Sequence, residues 1–221
     1  MEMKYGQIAP GKNVNRKIYK CFEYLCEDDV RKFIKKFREQ PHNGEQIMHT
    51  FKELILGAFL ASNDLRVRFD CKVNGKTPDW CIIDNYLSII GIIELINFHI
   101  DRETEKAMLS KIEKNKIWVG WLKPNNARLY QKILEKADIY NTIITSKQIP
   151  YVVSVIGDFK AALSFDEVNE CVFKEHGGLF HSRPILSGVL FFEESGGDRY
   201  SFNYIQNPHA TIEFDLPSGV F

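Results

Sequence analysis

Near the amino terminus, apolar positions recur at helical spacing. In "NRKIYKCFEYLCEDDVRKFIKKFREQ", Phe22, Leu25 and Cys26 form one stripe, and Val30, Phe33, Ile34 and Phe37 form the next. The stretch predicts two helices broken near Glu27–Asp29. Asp28 or Asp29 caps the second, which ends in Lys and Arg as the helix dipole favours. "PHNG" punctuates the chain at 41–44, and "EQIMHTFKELILGAFLASN" then predicts a long, strongly apolar helix.

The period then changes. "LRVRFDCKV" alternates apolar and polar residues, the pattern of a half-buried strand. "PDWCIID" and "SIIGIIELINF" are β-rich runs on either side of a turn at Asn85–Tyr86, which predicts a hairpin. "DRETEKAMLSKIEKNKI" and "NNARLYQKILEKADIYNTIITSKQ" read as helical, with "WVGWLKP" between them a strand or loop. "PYVVSVIGD" is an apolar run of strand length bounded by Pro150 and Gly157, suited to a buried parallel strand. A short helix at 166–175, a Gly-rich loop "EHGGLFHSRP" and the strands "ILSGVLFFE" and "RYSFNYI" complete the pattern. This order predicts one α/β domain on a mixed sheet, residues 45–221 with a β-rich carboxyl-terminal elaboration, preceded by a helical extension over 1–44.

Composition adds boundaries. The 221 residues are 44% hydrophobic and 26% charged, as in ordinary soluble globular proteins. Apolar runs stop short of the ~20 residues of a membrane helix. The opening "MEMKYGQIAPGKN" lacks the apolar core of a secretory signal, so a cytoplasmic address and no membrane partner are expected. Five cysteines without a CxxC pair support neither a zinc ribbon nor a disulfide framework. The net charge is zero, but residues 12–38 and 102–136 each hold nine Lys/Arg against four acids, while residues 157–221 hold four against ten. That asymmetry permits a basic face able to touch phosphates; solvated helix faces are the plainer alternative.

Two acids stand where burial should forbid a charge. Asp79 opens one strand of the predicted hairpin and Glu94 lies late in the other, inside apolar runs. A carboxylate buried in a strand costs several kcal/mol unless it is paired, protonated or bound to a metal. Positions roughly equidistant from a turn face each other, so the two carboxylates are expected to converge at the open end of the hairpin. A hard divalent cation, Mg²⁺ or Mn²⁺, is one remedy for their repulsion. The alternative is that Asp79 caps its strand and Glu94 pairs with a lysine.

The residues "TPDW" and, after the intervening strand, "IIELIN" resemble the PD-(D/E)XK nuclease-like superfamily, the restriction-endonuclease-like fold. The resemblance spans roughly residues 45–156, and "NARLYQKILEKADIYN" followed by "IPYVVSVIG" is similar to an uncharacterised branch of it. It implies a three-layer core with a central mixed sheet between helices, and metal-binding acids at Asp79, Glu94 and Glu53, the last from the first core helix. In the family a lysine stands two residues beyond the second acid. Here that position is Ile96, which can neither activate water nor stabilise charge on a phosphate. Asn97 is next but faces the opposite way unless a bulge turns it. Some members supply the lysine from the helix after the hairpin. Lys132, Lys136 and Tyr140 lie at four-residue steps on such a helix, and Lys136 with Tyr140 resembles the Gln-x-x-x-Tyr motif of recombination helicase–nucleases.

Other patterns are weaker. "HGGLFH" is similar to the oxyanion loop of esterases, but no GxSxG elbow accompanies it, and Ser187 sits in "ILSGV". His176 and His181 lack the Cys/His company of a zinc site. His99 and Arg102 follow the Glu94 strand and could shuttle a proton or touch a phosphate; alternatively Asp101 starts a helix and Arg102 lies in solvent. Trp80, Trp118 and Trp121 could stack on bases or fill the core.

The expected activity is a Mg²⁺- or Mn²⁺-dependent phosphodiesterase acting on nucleic acid, DNA first. Asp79, Glu94 and Lys136 are its catalytic residues, Glu53, Asp79 and Glu94 its metal ligands, and Lys132, Tyr140, Asn97, His99 and Arg102 its nucleic-acid contacts. The rival is a nuclease fold that has lost catalysis and binds nucleic acid, another protein or a second copy of itself. A third reading is an unrelated α/β protein whose acids form structural ion pairs.

Overall fold

A computed structural model describes residues 5–9, 11–39, 43–114, 117, 125–157, 161–174, 177–196 and 199–221. The stretch "WVGWLKP", with Trp118 and Trp121, and His176 lie outside the described residues.

Helix α1 (Lys12–Phe22) ends at Phe22, so Leu25 and Cys26 of the first stripe fall in the connection to helix α2 (Glu27–Glu39). The predicted stripe Val30, Phe33, Ile34 and Phe37 lies on α2, with Asp28 and Asp29 inside its first turn rather than capping it. α2 carries three acids in its first turn and Lys36 and Arg38 in its last, matching the helix dipole. Asn43 caps α3 (Gly44–Ser62) by accepting from the Gln46 amide. α3 is buried around most of its circumference because α1 and α2 cover one side and the sheet covers the other.

The strands are β1 (Val67–Phe69), β2 (Trp80–Ile83), β3 (Ile89–Phe98), β4 (Tyr151–Gly157), β5 (Gly188–Gly196), β6 (Arg199–Gln206) and β7 (Gly219–Val220). They lie side by side in chain order in one mixed, strongly curled sheet. β3, β4 and β5 run parallel and every other pair is antiparallel. Between β3 and β4 come α4 (Arg102–Ile112), α5 (Asn126–Ile139) and α6 (Asn141–Lys147); between β4 and β5 come α7 (Phe165–Phe173) and α8 (Leu179–Ser182).

Period-two alternation divides the core. Ile93, Leu95, Val152, Leu190 and Phe192 join the cluster with α1–α3, and their neighbours Ile92, Ile96, Val153, Val189 and Phe191 join the cluster with α5–α8. Helices therefore cover both faces of the sheet. α1 and α2 share the cluster of α3 and the sheet.

Some elements depart from the sequence expectation. β1 is shorter than "LRVRFDCKV" because Asp70 takes a left-handed conformation (φ 49°) and turns the chain out of the ladder. The hairpin turn is built by Asp84, whose Oδ1 accepts from the Tyr86 and Ser88 amides, with Leu87 left-handed. α8 sits inside the Gly-rich loop, entered through Gly177 and Gly178 at φ 83° and 90°. The basic helix breaks at Tyr140 into α5 and α6, and α5 is the second helix after the hairpin, not the first. No described helix is long and apolar enough to cross a membrane.

Candidate active site

The hairpin ladder pairs Trp80 with Ile93, so the next pair along the same register is Asp79 with Glu94. Both acids thus stand directly across from each other at its open end. Asp79 is also tied to β3 itself, its Oδ2 accepting from the Leu95 amide at 2.7 Å. Glu94 is 3% exposed and lies on the α5 side of the sheet, with Ile92, Ile96 and Phe98.

α5 brings its lysine to that face. Lys136 Nζ donates to Glu94 Oε2, and burial together with the nearby Glu94 carboxylate raises the Tyr140 hydroxyl. The backbone of α5 is fixed from below, where the buried Tyr151 hydroxyl on β4 donates to the Lys136 carbonyl at 2.7 Å. Ile96 is buried on the same side as Glu94, packed into the core beneath α5. A cationic group therefore reaches Glu94 from the helix rather than from two residues along the strand.

Glu53 approaches from the other face. It is 2% exposed; Lys36 of α2 lies 2.8 Å from its Oε2 and His49, one helical turn earlier, 3.1 Å from its Oε1. The position of α3 over the hairpin is set by Trp80. Its indole Nε1 donates to the Glu53 carbonyl at 2.9 Å, and its ring occupies the space above Gly57, where a Cβ would fall 1.8 Å from a ring carbon. Trp80 is fully buried, so it is a core residue and not a stacking platform for bases.

The acids differ electrostatically. Burial and the facing Glu94 push the Asp79 carboxyl up to about 7, while the Leu95 amide pulls less strongly the other way. Burial also opposes ionisation of Glu53, but His49 and Lys36 outweigh it and hold that carboxyl below the usual range. Burial works against the Lys136 ammonium, yet Glu94 more than compensates and keeps it above the ordinary lysine value.

Lys132 lies one turn before Lys136, and both line a cleft of about 370 Å³ with His49, Asp79, Asn97 and His99. Asn97 points to the α3 face, as strand alternation requires, and accepts from Lys52 at 2.7 Å. His99 is exposed at the strand end, and its carbonyl accepts from Arg128. Asp101 caps α4 through Thr104, leaving Arg102 exposed at the first helical position. Ser187 is buried, donating to the Ile212 carbonyl at 2.8 Å and accepting from the Tyr151 amide, which makes it a structural hydroxyl and no nucleophile.

Three participants escaped the sequence reading. Lys36 was one of several cations on a solvated-looking helix. His49 is spaced i, i+4 from Glu53, a pairing that helical periodicity makes legible. Asp70 feels Lys36 and Glu53, and burial raises its carboxyl.

For a divalent cation, the fit rests on the donor chemistry of the facing pair. Asp79 and Glu94 offer hard carboxylate oxygens; burial first, and the facing Glu94 second, oppose the Asp79 anion, and a bound cation would counter both. Among the described residues no three His, Cys, Asp or Glu side chains are drawn together as a ligand cluster, because Glu53 is turned into its own pair with Lys36 and His49. No family model, curated protein or solved structure matches the chain, so function has to be read from this geometry.

Proposed function

We propose that this chain is a metal-dependent phosphodiesterase with a restriction-endonuclease-like three-layer core, hydrolysing the backbone of nucleic acid, with DNA the first substrate to test. The observation that carries the reading is the cross-strand pair Asp79–Glu94 with Lys136 delivered to it from α5. Asp79 and Glu94 would hold Mg²⁺ or Mn²⁺, and Glu53 would join them only by giving up its pair with Lys36 and His49. When bound, the ion supplies Lewis acidity and an acidified water at neutral pH. Lys136, paired with Glu94, would hold the attacking water and offset charge on the phosphate, the part Ile96 cannot play. Lys132, which lines the cleft, would help draw the phosphate backbone to it.

The test is cleavage of single- and double-stranded DNA and RNA with Mg²⁺ or Mn²⁺. The wild type should nick or cut, and Asp79→Ala and Glu94→Ala should not; equal cleavage by all three preparations would mean contamination and end the proposal.

One observation favours a second reading. Lys36 and Lys136 already neutralise Glu53 and Glu94 without any metal, and Ile96 is packed as core. In that reading the fold is a binding module for nucleic acid, a protein or a second copy of the chain. It predicts binding that persists in chelator and no cleavage with any divalent ion.

A further inference from the structure

Strand alternation in β1 sends Val67 and Phe69 to the α3 side of the sheet, where both pack into the cluster shared with α1–α3. Cys71, two residues further on, would follow them if the strand continued. It does not, because Asp70 is left-handed at φ 49° and turns the chain. Cys71 packs instead against the α5 cluster, which holds Cys81 of β2. The ladder brings the two segments side by side: Cys81 pairs with Arg68, and the Asp70 amide donates to the Asp79 carbonyl at 3.3 Å. Across that junction the two thiols meet in a hydrogen bond.

The other cysteines are placed differently. Cys21 is buried on α1, and burial pushes its thiol up to about 12. Cys171 is buried on α7 and donates to the Asn126 carbonyl at 3.9 Å. Cys26 is exposed, but it donates to Asp29 Oδ2 at 3.3 Å and accepts from Arg68. Cys71 is half-buried and has a second sulfur against it. Contact with Cys81 lowers the Cys71 thiol against its burial, and Lys32 and Arg68 lower it further against Asp29. Partly exposed thiols beside cations are the ones that react, since the thiolate is the nucleophile.

We infer that Cys71 and Cys81 form a reversible redox site, in which a peroxide oxidises Cys71 and Cys81 resolves the product to a disulfide. The Cys71 thiolate attacks one oxygen of hydrogen peroxide. The O–O bond breaks, the sulfur becomes a sulfenic acid, and the other oxygen leaves as hydroxide and is protonated to water. Cys81 then attacks that sulfur, an S–S bond replaces the S–O bond, and the displaced oxygen departs as water with the Cys81 proton. A dithiol reductant reverses the change by exchange. The site does not depend on the phosphodiesterase reading. Its disulfide would close residues 71–81 into a ring that contains Asp79, so oxidation would fix the backbone that carries one of the candidate acids.

The experiment treats the reduced, folded full chain with a small excess of hydrogen peroxide, then blocks remaining thiols with N-ethylmaleimide in denaturant. Intact mass and a peptide map are read. The chain should lose two hydrogens, keep Cys21, Cys26 and Cys171 alkylatable, and yield a linked Cys71–Cys81 peptide. Dithiothreitol should return all five cysteines to the alkylated state. Cys81→Ala should stop at a sulfenic acid that dimedone traps on Cys71, and Cys71→Ala should lose the reaction. The wild-type map locates the bond by itself, whether or not the buried Cys81→Ala variant folds. Cys71 and Cys81 both remaining alkylatable, oxygen adding without a linked peptide, or Cys71 joining Cys26 instead would each overturn the pair.

Discussion

The two ends of the candidate site treat a buried carboxylate in opposite ways. On α3, Glu53 is almost fully buried yet stabilised as an anion, with Lys36 and His49 both at its oxygens. At the open end of the hairpin, Asp79 receives one backbone amide and faces another acid, and its carboxyl is driven up towards 7. Glu94 lies between these cases, facing Asp79 while taking Lys136. A structural ion pair needs only the first arrangement. Opposed acids with an incomplete set of cations are what a metal or a proton completes, and that difference separates the catalytic reading from a purely structural one.

The largest expected contrast lies between the two lysines. Lys136→Ala should lower metal-dependent cleavage by about a hundredfold or more, the usual cost of removing a group that acts on transition-state charge. Lys36→Ala should lower it only a few-fold, since His49 remains at Glu53. Turnover rates at saturating Mn²⁺ decide the matter; equal losses from the two substitutions would mean that both lysines simply neutralise buried acids.

The next contrast concerns how the two ends are held together. Gly57→Ala places a methyl group into the Trp80 ring, and neither α3 nor β2 has room to retreat. Overpacking of this kind costs about 1–3 kcal/mol, which thermal unfolding should register as a Tm lowered by several degrees. Any shift of α3 also moves Glu53 relative to Asp79, so activity should fall further than the loss of folded protein explains. A Tm within a degree of wild type would show that Trp80 can rotate away and that Gly57 does not set the spacing.

Much of this geometry was legible because it is local or strand-bound. Asp79 and Glu94 showed as acids inside β-rich runs, and hairpin symmetry alone placed them opposite each other. Lys136 and Tyr140 were legible from four-residue spacing, and strand alternation assigned Asn97 to the far face. Lys36 was not, because nothing in "RKFIKKFREQ" distinguishes the cation that meets α3 from those that meet water; only the packing of α2 on α3 does. Asp70 was hidden for another reason. Its left-handed backbone ends a strand that the alternation of "LRVRFDCKV" would have continued. Gly57 looked like an ordinary helix glycine until Trp80 was seen above it.

The pH dependence of stability is the sharpest test of the electrostatic contrast. Between the ordinary aspartate value near 4 and the raised value of about 7, the folded chain keeps a proton on Asp79 that the unfolded chain has released. More protons are bound in the folded state, so this group makes stability fall as pH rises through that window, and the deficit is complete above about 7. Asp79→Asn keeps an acceptor for the Leu95 amide and removes the titration. Its Tm should sit near wild type at about pH 4 and rise above it by about pH 8. Glu53 has the opposite sign: its lowered value adds stability that is present above the usual glutamate range and lost as pH falls through the depressed one. Glu53→Gln should therefore be the less stable protein at neutral pH, with a deficit that shrinks in acid. Mn²⁺ added at about pH 8 should raise the wild-type Tm and leave Asp79→Asn where it was, because that substitution removes one of the two facing carboxylates that would bind it. Parallel pH curves for the two variants would erase the distinction between the ends of the site and leave Glu53, Asp79 and Glu94 as three structural acids.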